Sequence, residues 1–280
     1  MKILPTSPVT VSTYWTLMAQ VAQNLSGEGG EGVAVGAADE YLEALMGRLS
    51  QWHGSALPAV AAAGEAMAAA VLSGGKLFPY SGRGEFWSEA SGTAGGLMGV
   101  YNLEVELSGA EAELTGELGA DDVVILAWVL ADPAAETAVA RAVKQAGATL
   151  IVLFPFERET PEPSNVGRSS RSSHSQRALA VVTGEDGDDA QVAEAKELCD
   201  HSFDNLSGDV HGVLSVPGYP TKIIPTTTLM NNYMHWALVG AYVQALESRG
   251  EAPYYWMSLH VPGGKEYDDA VLPHAQERGW

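Results

Sequence analysis

Cysteine is almost absent from this sequence, with Cys199 the single one in 280 residues. One cysteine cannot close an internal disulfide or build a cysteine-based zinc cluster, so neither holds this fold together. Cys199 lies near the predicted end of a helix, where a buried structural thiol is a commoner role than a nucleophile. The seven histidines show neither an HExxH motif nor paired spacing. The sequence therefore predicts no metal site and no cofactor.

Basic residues are also scarce. Lys and Arg total 15 against 35 Asp and Glu, which gives a formal net charge of −20. A chain of this charge is repelled by a phosphate backbone, so we expect no nucleic-acid partner. An acidic surface is more typical of solubility, or of a salty cytoplasm, than of a function of its own.

Long apolar runs are missing as well. The longest run, residues 123–131, has the length of a strand and falls short of the roughly 18 residues that a membrane span needs. Prolines and polar residues interrupt the first fifteen positions, which excludes a signal-peptide core there. We expect a soluble, cytoplasmic protein with no membrane partner.

The composition and the order of segments predict one folded domain preceded by an N-terminal appendage. Hydrophobic residues make up 46% of the chain, enough to bury a sizeable core. Residues 1–38 are predicted to be an N-terminal appendage, with a short helix over 14–25 and a glycine-rich linker after it. Residues 39–280 are predicted to form the domain.

The domain alternates strands and helices. A helical region over 40–72 ends at the glycines 74–75, and a strand over 76–80 leads into a helix that continues to residue 99. The clearest unit is strand 123–130, a helix from Pro133 to its stop at Gly147, and strand 149–154. Such a unit predicts parallel strands joined by a crossover, and hence an α/β fold.

The second half is less regular. It is predicted to hold a strand over 178–184, a helix over 188–199, a short strand over 222–224 and a helix over 229–248, before an extended tail with a glycine turn. The polar segment 157–177 contains four arginines. It is either a lid that supplies positive charge or a solvated loop.

The order of these features resembles the sugar isomerase (SIS) domain, and more narrowly the small single-domain proteins related to phosphoheptose isomerase. The resemblance covers residues 40–280. It rests on GGKLFPYSGRGEF, DDVVILAWVLADPAAE, GATLIVL and CDHSFDN, and most specifically on KIIPTTTLMNNYMHWALV and PYYWMSLHVPGGKEY. It implies a three-layer α/β/α sandwich with a five-stranded parallel sheet, assembled as a homodimer or homotetramer. It also implies a sugar or sugar phosphate held at the carboxyl ends of the strands, where helix N-termini favour anions.

The resemblance implies two binding loops. The substrate-binding residues would be Ser81, Gly82, Arg83, Gly84, Thr226, Thr227 and Thr228. The match is incomplete, since Gly84 stands where the family has a hydroxyl residue. Residues 127–131, Ala-Trp-Val-Leu-Ala, also replace the Ser/Gly-rich phosphate loop of the family.

Two residues are candidates for proton transfer. Glu89 matches a glutamate of the family and could act as the base of an aldose–ketose isomerase, although it could equally favour a helix N-terminus. His260, in the tail, is a candidate proton shuttle, and the tail could cross to a neighbouring subunit. His235 is predicted to be a packed core histidine. The expected function is sugar or sugar-phosphate binding with isomerase activity, and the alternative is a non-catalytic sugar sensor or assembly module.

Overall fold

A computed structural model describes residues 36–82, 85–108, 111–128, 133–155, 187–207, 212–216 and 222–280, together with residues 16 and 18. The helices are α1 (Gly36–Leu72), α2 (Glu85–Gly92), α3 (Pro133–Gln145), α4 (Gly187–Leu198), α5 (Thr227–Glu247) and α6 (Gly264–Arg278). The strands are β1 (Leu77–Tyr80), β2 (Val105–Ser108), β3 (Glu111–Leu114), β4 (Val123–Ala127), β5 (Thr149–Phe154) and β6 (His201–Asp204).

A parallel sheet forms the centre of this mixed α/β fold. Its strands lie in the order β1-β4-β5-β6, and β2 and β3 form a separate antiparallel pair. The sheet that the structure describes thus has four parallel strands, where the resemblance implies five. The strand predicted over 178–184 lies outside the described residues, so the fifth strand stays a prediction.

The central strands are apolar because both of their faces are covered. Every residue of β4 is buried, and β5 is buried from its second residue onwards. Alternate side chains enter two different core clusters: Ile125 and Ile151 join one, and Val124 and Val152 join the other. Helices α1 and α5 contribute to the first cluster and α3 and α4 to the second, so helices cover both faces of the sheet.

Several helices and strands differ from the predicted ones in their extent. Helix α2 ends at Gly92 instead of residue 99, because Gly95 takes a left-handed φ of 88° that no helix continues. The predicted strand 222–224 is a single antiparallel bridge between Ile223 and Leu214. The tail, predicted to be extended, contains α6, and Pro273 lies inside this helix.

The predicted appendage is described only in small part. Helix α1 begins at Gly36, before the expected boundary at residue 38. Thr16 and Met18 are helical, as predicted, and Met18 packs against the first core cluster. The rest of the helix predicted over 14–25 lies outside the described residues.

Helix α1 is long and apolar enough, by length and composition alone, to cross a membrane. Polar and charged residues interrupt its apolar stretches, so no long apolar run in the sequence marks it. Such helices also occur in the cores of soluble proteins. One side of α1 is buried here, with Tyr41, Trp52 and Met67 among its buried residues, as in a soluble α/β fold.

Helices α1 and α5 approach each other closely at Gly64. A Cβ added to Gly64 would lie 2.6 Å from the Cβ of Ala241 and 2.8 Å from the backbone nitrogen of Tyr242. Real Cβ atoms do not come this close to backbone, so only glycine fits the contact. Gly240 is also helical, but an added Cβ there would meet nothing within 4 Å.

We expect Gly64→Ala and Gly240→Ala to shift stability in opposite directions. Gly64→Ala overpacks the contact and should lower the free energy of unfolding by about 1–3 kcal/mol. Gly240→Ala gains helix propensity without a clash and should raise it by up to about 1 kcal/mol. Urea unfolding of both variants checks this, and equal effects of the two substitutions would contradict the close contact.

Candidate functional site

Buried polar residues collect where the parallel strands end. Ser81 follows β1, Trp128 follows β4 and Asn205 follows β6. Helix α5 begins directly after Thr226. The buried polar residues in these segments and the adjoining helices are Ser81, Glu89, Asn205, Ser207, Thr226, Asn231, Asn232 and His235. The carboxyl edge of a parallel sheet is where open α/β folds bind ligands, so we take this edge as the candidate site.

A chain of hydrogen bonds joins β4, β6 and α5. Asn231 donates from Nδ2 to the carbonyl oxygen of Trp128 at 3.0 Å, and it accepts at Oδ1 from Asn205 Nδ2 at 2.9 Å. Asn205 in turn accepts at Oδ1 from the hydroxyl of Ser207 at 2.5 Å. The sequence analysis missed these residues, because asparagine carries no spacing signal of its own.

Trp128 is the last described residue of the segment after β4. Its side chain is fully buried and packs against Phe154, with the ring centroids 5.6 Å apart. Its backbone nitrogen donates to the carbonyl of Leu153 at 2.9 Å, and its carbonyl accepts from Asn231. Both backbone polar groups of Trp128 are thus paired within the protein. Residues 129–131 of the substituted loop lie outside the described residues.

The first predicted loop is described only at its start. Ser81 is buried, and among the described residues its hydroxyl has no hydrogen-bond partner. Gly82 is exposed. Arg83 and Gly84 lie outside the described residues, so their predicted roles in binding stay predictions. An unpaired buried hydroxyl at the end of a strand is suited to meet a polar group of a ligand.

Thr226 precedes α5 as predicted, but its hydroxyl does not cap the helix. It accepts a hydrogen bond from the guanidinium of Arg48 on α1. Thr227 and Thr228 form the first turn of α5 and are half-buried. Arg48 brings a positive charge to this helix N-terminus. Sequence spacing gives no signal for this contact, since the two residues are 178 positions apart.

Glu89 lies in the second turn of α2 and is buried. Its Oε1 accepts a hydrogen bond from the indole nitrogen of Trp236 on α5, at 3.1 Å. A buried carboxylate held by a donor from a second helix has a fixed orientation. A carboxylate that only stabilised the helix N-terminus through its charge would not require this hydrogen bond.

His260 has a different environment. It is exposed, in the turn before α6, and its backbone nitrogen donates to the hydroxyl of Ser258 at 3.3 Å. The preceding residues 254–256 hydrogen-bond to Gly95, Gly96 and Met98 of the same chain. This part of the tail therefore packs against its own subunit, where the sequence analysis allowed it to cross to a neighbour.

His235 is a packed histidine, as expected. It is buried on α5, and its ring meets the ring of Phe86 edge-on at 5.1 Å between centroids. Burial lowers the pKa of His235 to about 4, so the imidazole is neutral at physiological pH. Among the described residues its Nδ1 has no hydrogen-bond partner. No group of three or more potential metal ligands occurs in the part of the chain that the structure describes.

Comparison with known proteins yields a distant similarity. The chain is 24% identical over 250 residues to a protein named UPF0309 protein from Streptomyces griseus subsp. griseus. The matched region covers 86% of this chain and 96% of that protein. No family model matches. The name of the relative states no activity or ligand, and the identity is too low to assign the chain to a family.

We expect Asn231 to be more important for stability than its neighbour Asn232. Asn231→Ala leaves the Trp128 carbonyl and the Asn205 amide without their partner, and each unpaired buried group costs about 1–3 kcal/mol. Asn232→Ala removes a side chain of the same size whose Oδ1 has no partner among the described residues. Chemical denaturation should show a larger loss for Asn231→Ala. A loss no larger than that of Asn232→Ala would mean that the hydrogen-bond chain contributes nothing.

Proposed function

We propose that this chain is a SIS-type protein that binds a sugar or sugar phosphate at the carboxyl edge of its sheet. The observation that carries the proposal is Ser81, a buried hydroxyl with no partner among the described residues, placed where the first strand ends. The four parallel strands and the helices on both faces support a sandwich of SIS type. The fifth strand belongs to the same proposal.

The N-terminus of α5 supports an anionic or hydroxyl-bearing ligand. Arg48 and Thr226 meet there, and the first backbone N–H groups of a helix are available to an acceptor. In a chain of net charge −20, a guanidinium at a helix N-terminus provides a local positive charge that attracts an anionic group. Arg83, Gly84, Thr227 and Thr228 complete the proposed binding set with Ser81 and Gly82.

The proposed activity is aldose–ketose isomerisation, with Glu89 as the base. Moving a proton between two adjacent carbons needs one group that accepts and returns it, and a carboxylate in a fixed position can do this. The bond from Trp236 holds Glu89 in place. His260 is the proposed proton shuttle, which would require its exposed turn to approach the ligand.

A non-catalytic sugar sensor or assembly module is the second candidate. Trp128 favours it, because both backbone polar groups of this residue are already paired and its side chain is an indole buried against Phe154 with no hydroxyl to offer. A ligand with less phosphate contact than a SIS isomerase substrate would suit such a site. We further propose a cytoplasmic location and a homodimeric or homotetrameric assembly.

We expect sugar ligands to raise the melting temperature through Ser81. Fructose 6-phosphate, fructose and inorganic phosphate serve as probes, and a ligand at about 100 times its Kd adds roughly 2.7 kcal/mol. Ser81→Ala should abolish the shift, because it removes the buried hydroxyl without adding volume. Ser88→Ala, at an exposed position of α2, is the matched control and should keep the shift.

The outcomes of this thermal-shift test separate the ligand classes. A shift with fructose 6-phosphate but not with fructose indicates phosphate recognition, and a shift with fructose alone indicates a neutral ligand. No shift with any probe, or an equal shift in Ser81→Ala, would contradict binding at this edge.

We expect Glu89→Gln to separate the enzyme from the sensor. The amide keeps the shape of Glu89 but cannot act as a base, so interconversion of fructose 6-phosphate with its aldose isomer should fall below detection while the melting shift persists. Glu247→Gln, at an exposed position of α5, should leave both unchanged. A wild-type chain that binds a probe without turnover would favour the sensor.

A further inference from the structure

The core-facing side of α1 carries an arginine among apolar residues. Tyr41, Leu45, Arg48 and Trp52 are spaced four, three and four residues apart, as on one face of a helix. Tyr41 is 0%, Leu45 5% and Trp52 3% exposed, and Arg48 is half-buried. All the carboxylates of this stretch, within residues 39–43, are exposed. Arg48 thus lies on the side of the helix where a charged side chain is uncommon.

Arg48 extends to the start of α5. Its guanidinium donates a hydrogen bond to the hydroxyl of Thr226, which is 1% exposed and directly precedes the 21-residue helix. The first backbone N–H groups of a helix have no acceptor within that helix, and they carry a partial positive charge. A guanidinium has five N–H donors, so the bond to Thr226 is compatible with further acceptors. Positive charge from two separate helices therefore meets at this point.

Two buried donors on the same face of α1 have no hydrogen-bond partner among the described residues. They are the hydroxyl of Tyr41 and the indole nitrogen of Trp52. The hydroxyl of Tyr41 lies near the guanidinium: burial raises the pKa of Tyr41 to about 12, and the positive charge of Arg48 opposes this rise. The ring of Trp52 lies one helical turn beyond Arg48 and meets the ring of Tyr233 on α5 edge-on, at 5.5 Å between centroids. Buried donors normally have a partner, so these two are suited to an acceptor that a ligand supplies.

The chemistry of these groups favours an anion with several oxygens. A guanidinium, an indole N–H and backbone N–H groups can only donate hydrogen bonds, and a phenol can donate one. Each hydroxyl of a neutral sugar brings a donor of its own, for which this set has few acceptors. A carboxylate has two oxygens in one plane, whereas a phosphate group has three strong acceptor oxygens and can meet donors from two helices at once. Phosphate therefore suits the set best.

We propose that Tyr41, Arg48 and Trp52, together with the N-terminus of α5, form the phosphate site of this chain. The proposal rests on the proposed function and narrows it, because it commits the ligand to a sugar phosphate in place of a neutral sugar. It also assigns binding to a new element, since the SIS resemblance implies binding residues after the strands and at the start of α5, and none on α1. A helix that precedes the sheet in sequence would here replace the Ser/Gly-rich loop that residues 127–131 lack.

The test is a thermal-shift titration of the full chain with inorganic phosphate. Sodium chloride and acetate at the same ionic strength are the reference salts, because screening alone stabilises a chain of net charge −20. Phosphate should raise the melting temperature more than either salt does. Arg48→Met should abolish this additional shift. Tyr41→Phe removes only the hydroxyl and should weaken phosphate binding about tenfold or more, as expected for one hydrogen bond to a charged group.

Tyr242→Phe is the matched control for Tyr41→Phe. Tyr242 is also 0% exposed, and its hydroxyl also has no partner in the described part of the chain, but it lies near the C-terminal end of α5. Neither substitution should lower the melting temperature without phosphate, because each removes an unpaired buried hydroxyl. Only Tyr41→Phe should weaken phosphate binding. Trp52→Phe, which removes the indole N–H and keeps a ring, should weaken it as well.

Two results would overturn the phosphate site. One is a phosphate shift no larger than that of sodium chloride or acetate, and the other is a phosphate shift that persists in both Arg48→Met and Tyr41→Phe. Failure of the proposed function looks different. If fructose 6-phosphate binds through Ser81 and keeps its full shift in the α1 variants, sugar binding stands and the phosphate site is wrong. If phosphate binds through Arg48 and Tyr41 but fructose 6-phosphate and fructose add nothing to its shift, the phosphate site stands and the proposed function is wrong.

Discussion

The close packing of α1 on α5 is the contact on which the candidate site depends. At Gly64 the two helices approach to a distance that excludes even a methyl group. This contact sets the position of both helices, and Arg48 on α1 reaches Thr226 at the start of α5. Further along α5, Asn231 bonds to the end of β4 and Trp236 to Glu89 on α2. One helix thus connects three separate parts of the chain at the carboxyl edge of the sheet.

The sequence predicted the parts of the fold that local patterns determine. The unit β4-α3-β5 was found because its strands are apolar throughout and because Pro133 and Gly147 mark the limits of the helix between them. Helix α6 and the early end of α2 were not predicted. Whether a helix forms around an internal proline, and at which of several glycines a helix ends, depends on tertiary contacts as well as on sequence. The order of strands in the sheet was not predicted, because periodicity does not specify which strands pair.

Residues of the candidate site were predicted only where a polar residue type stands beside a predicted strand or helix. Ser81 follows β1, Glu89 lies in the helix after that strand, and Thr226 precedes α5, so their places in the fold follow from the predicted elements. Arg48 and Asn231 could not be predicted in the same way. Their roles come from partners 178 and 103 positions away, and such contacts follow from the packing of whole helices. His260 was predicted from its residue type and from its place in the tail, but it lies in an exposed turn.

Trp128 and the contact of Arg48 with Thr226 both bear on the charge that the candidate site offers a ligand. A Ser/Gly-rich loop binds phosphate through hydroxyls and unpaired backbone N–H groups. At Trp128 the N–H is bonded to Leu153, the carbonyl is bonded to Asn231, and the side chain is an indole buried against Phe154. Its backbone therefore has no donor to offer an anion, and its indole nitrogen is buried without a partner among the described residues. Under the proposed function, Arg48 together with the N-terminus of α5 supplies positive charge for an anionic ligand at this edge of the sheet. The charged group of such a ligand would then meet Arg48 and the N-terminus of α5, while the buried hydroxyl of Ser81 at the end of β1 would meet another polar group of it.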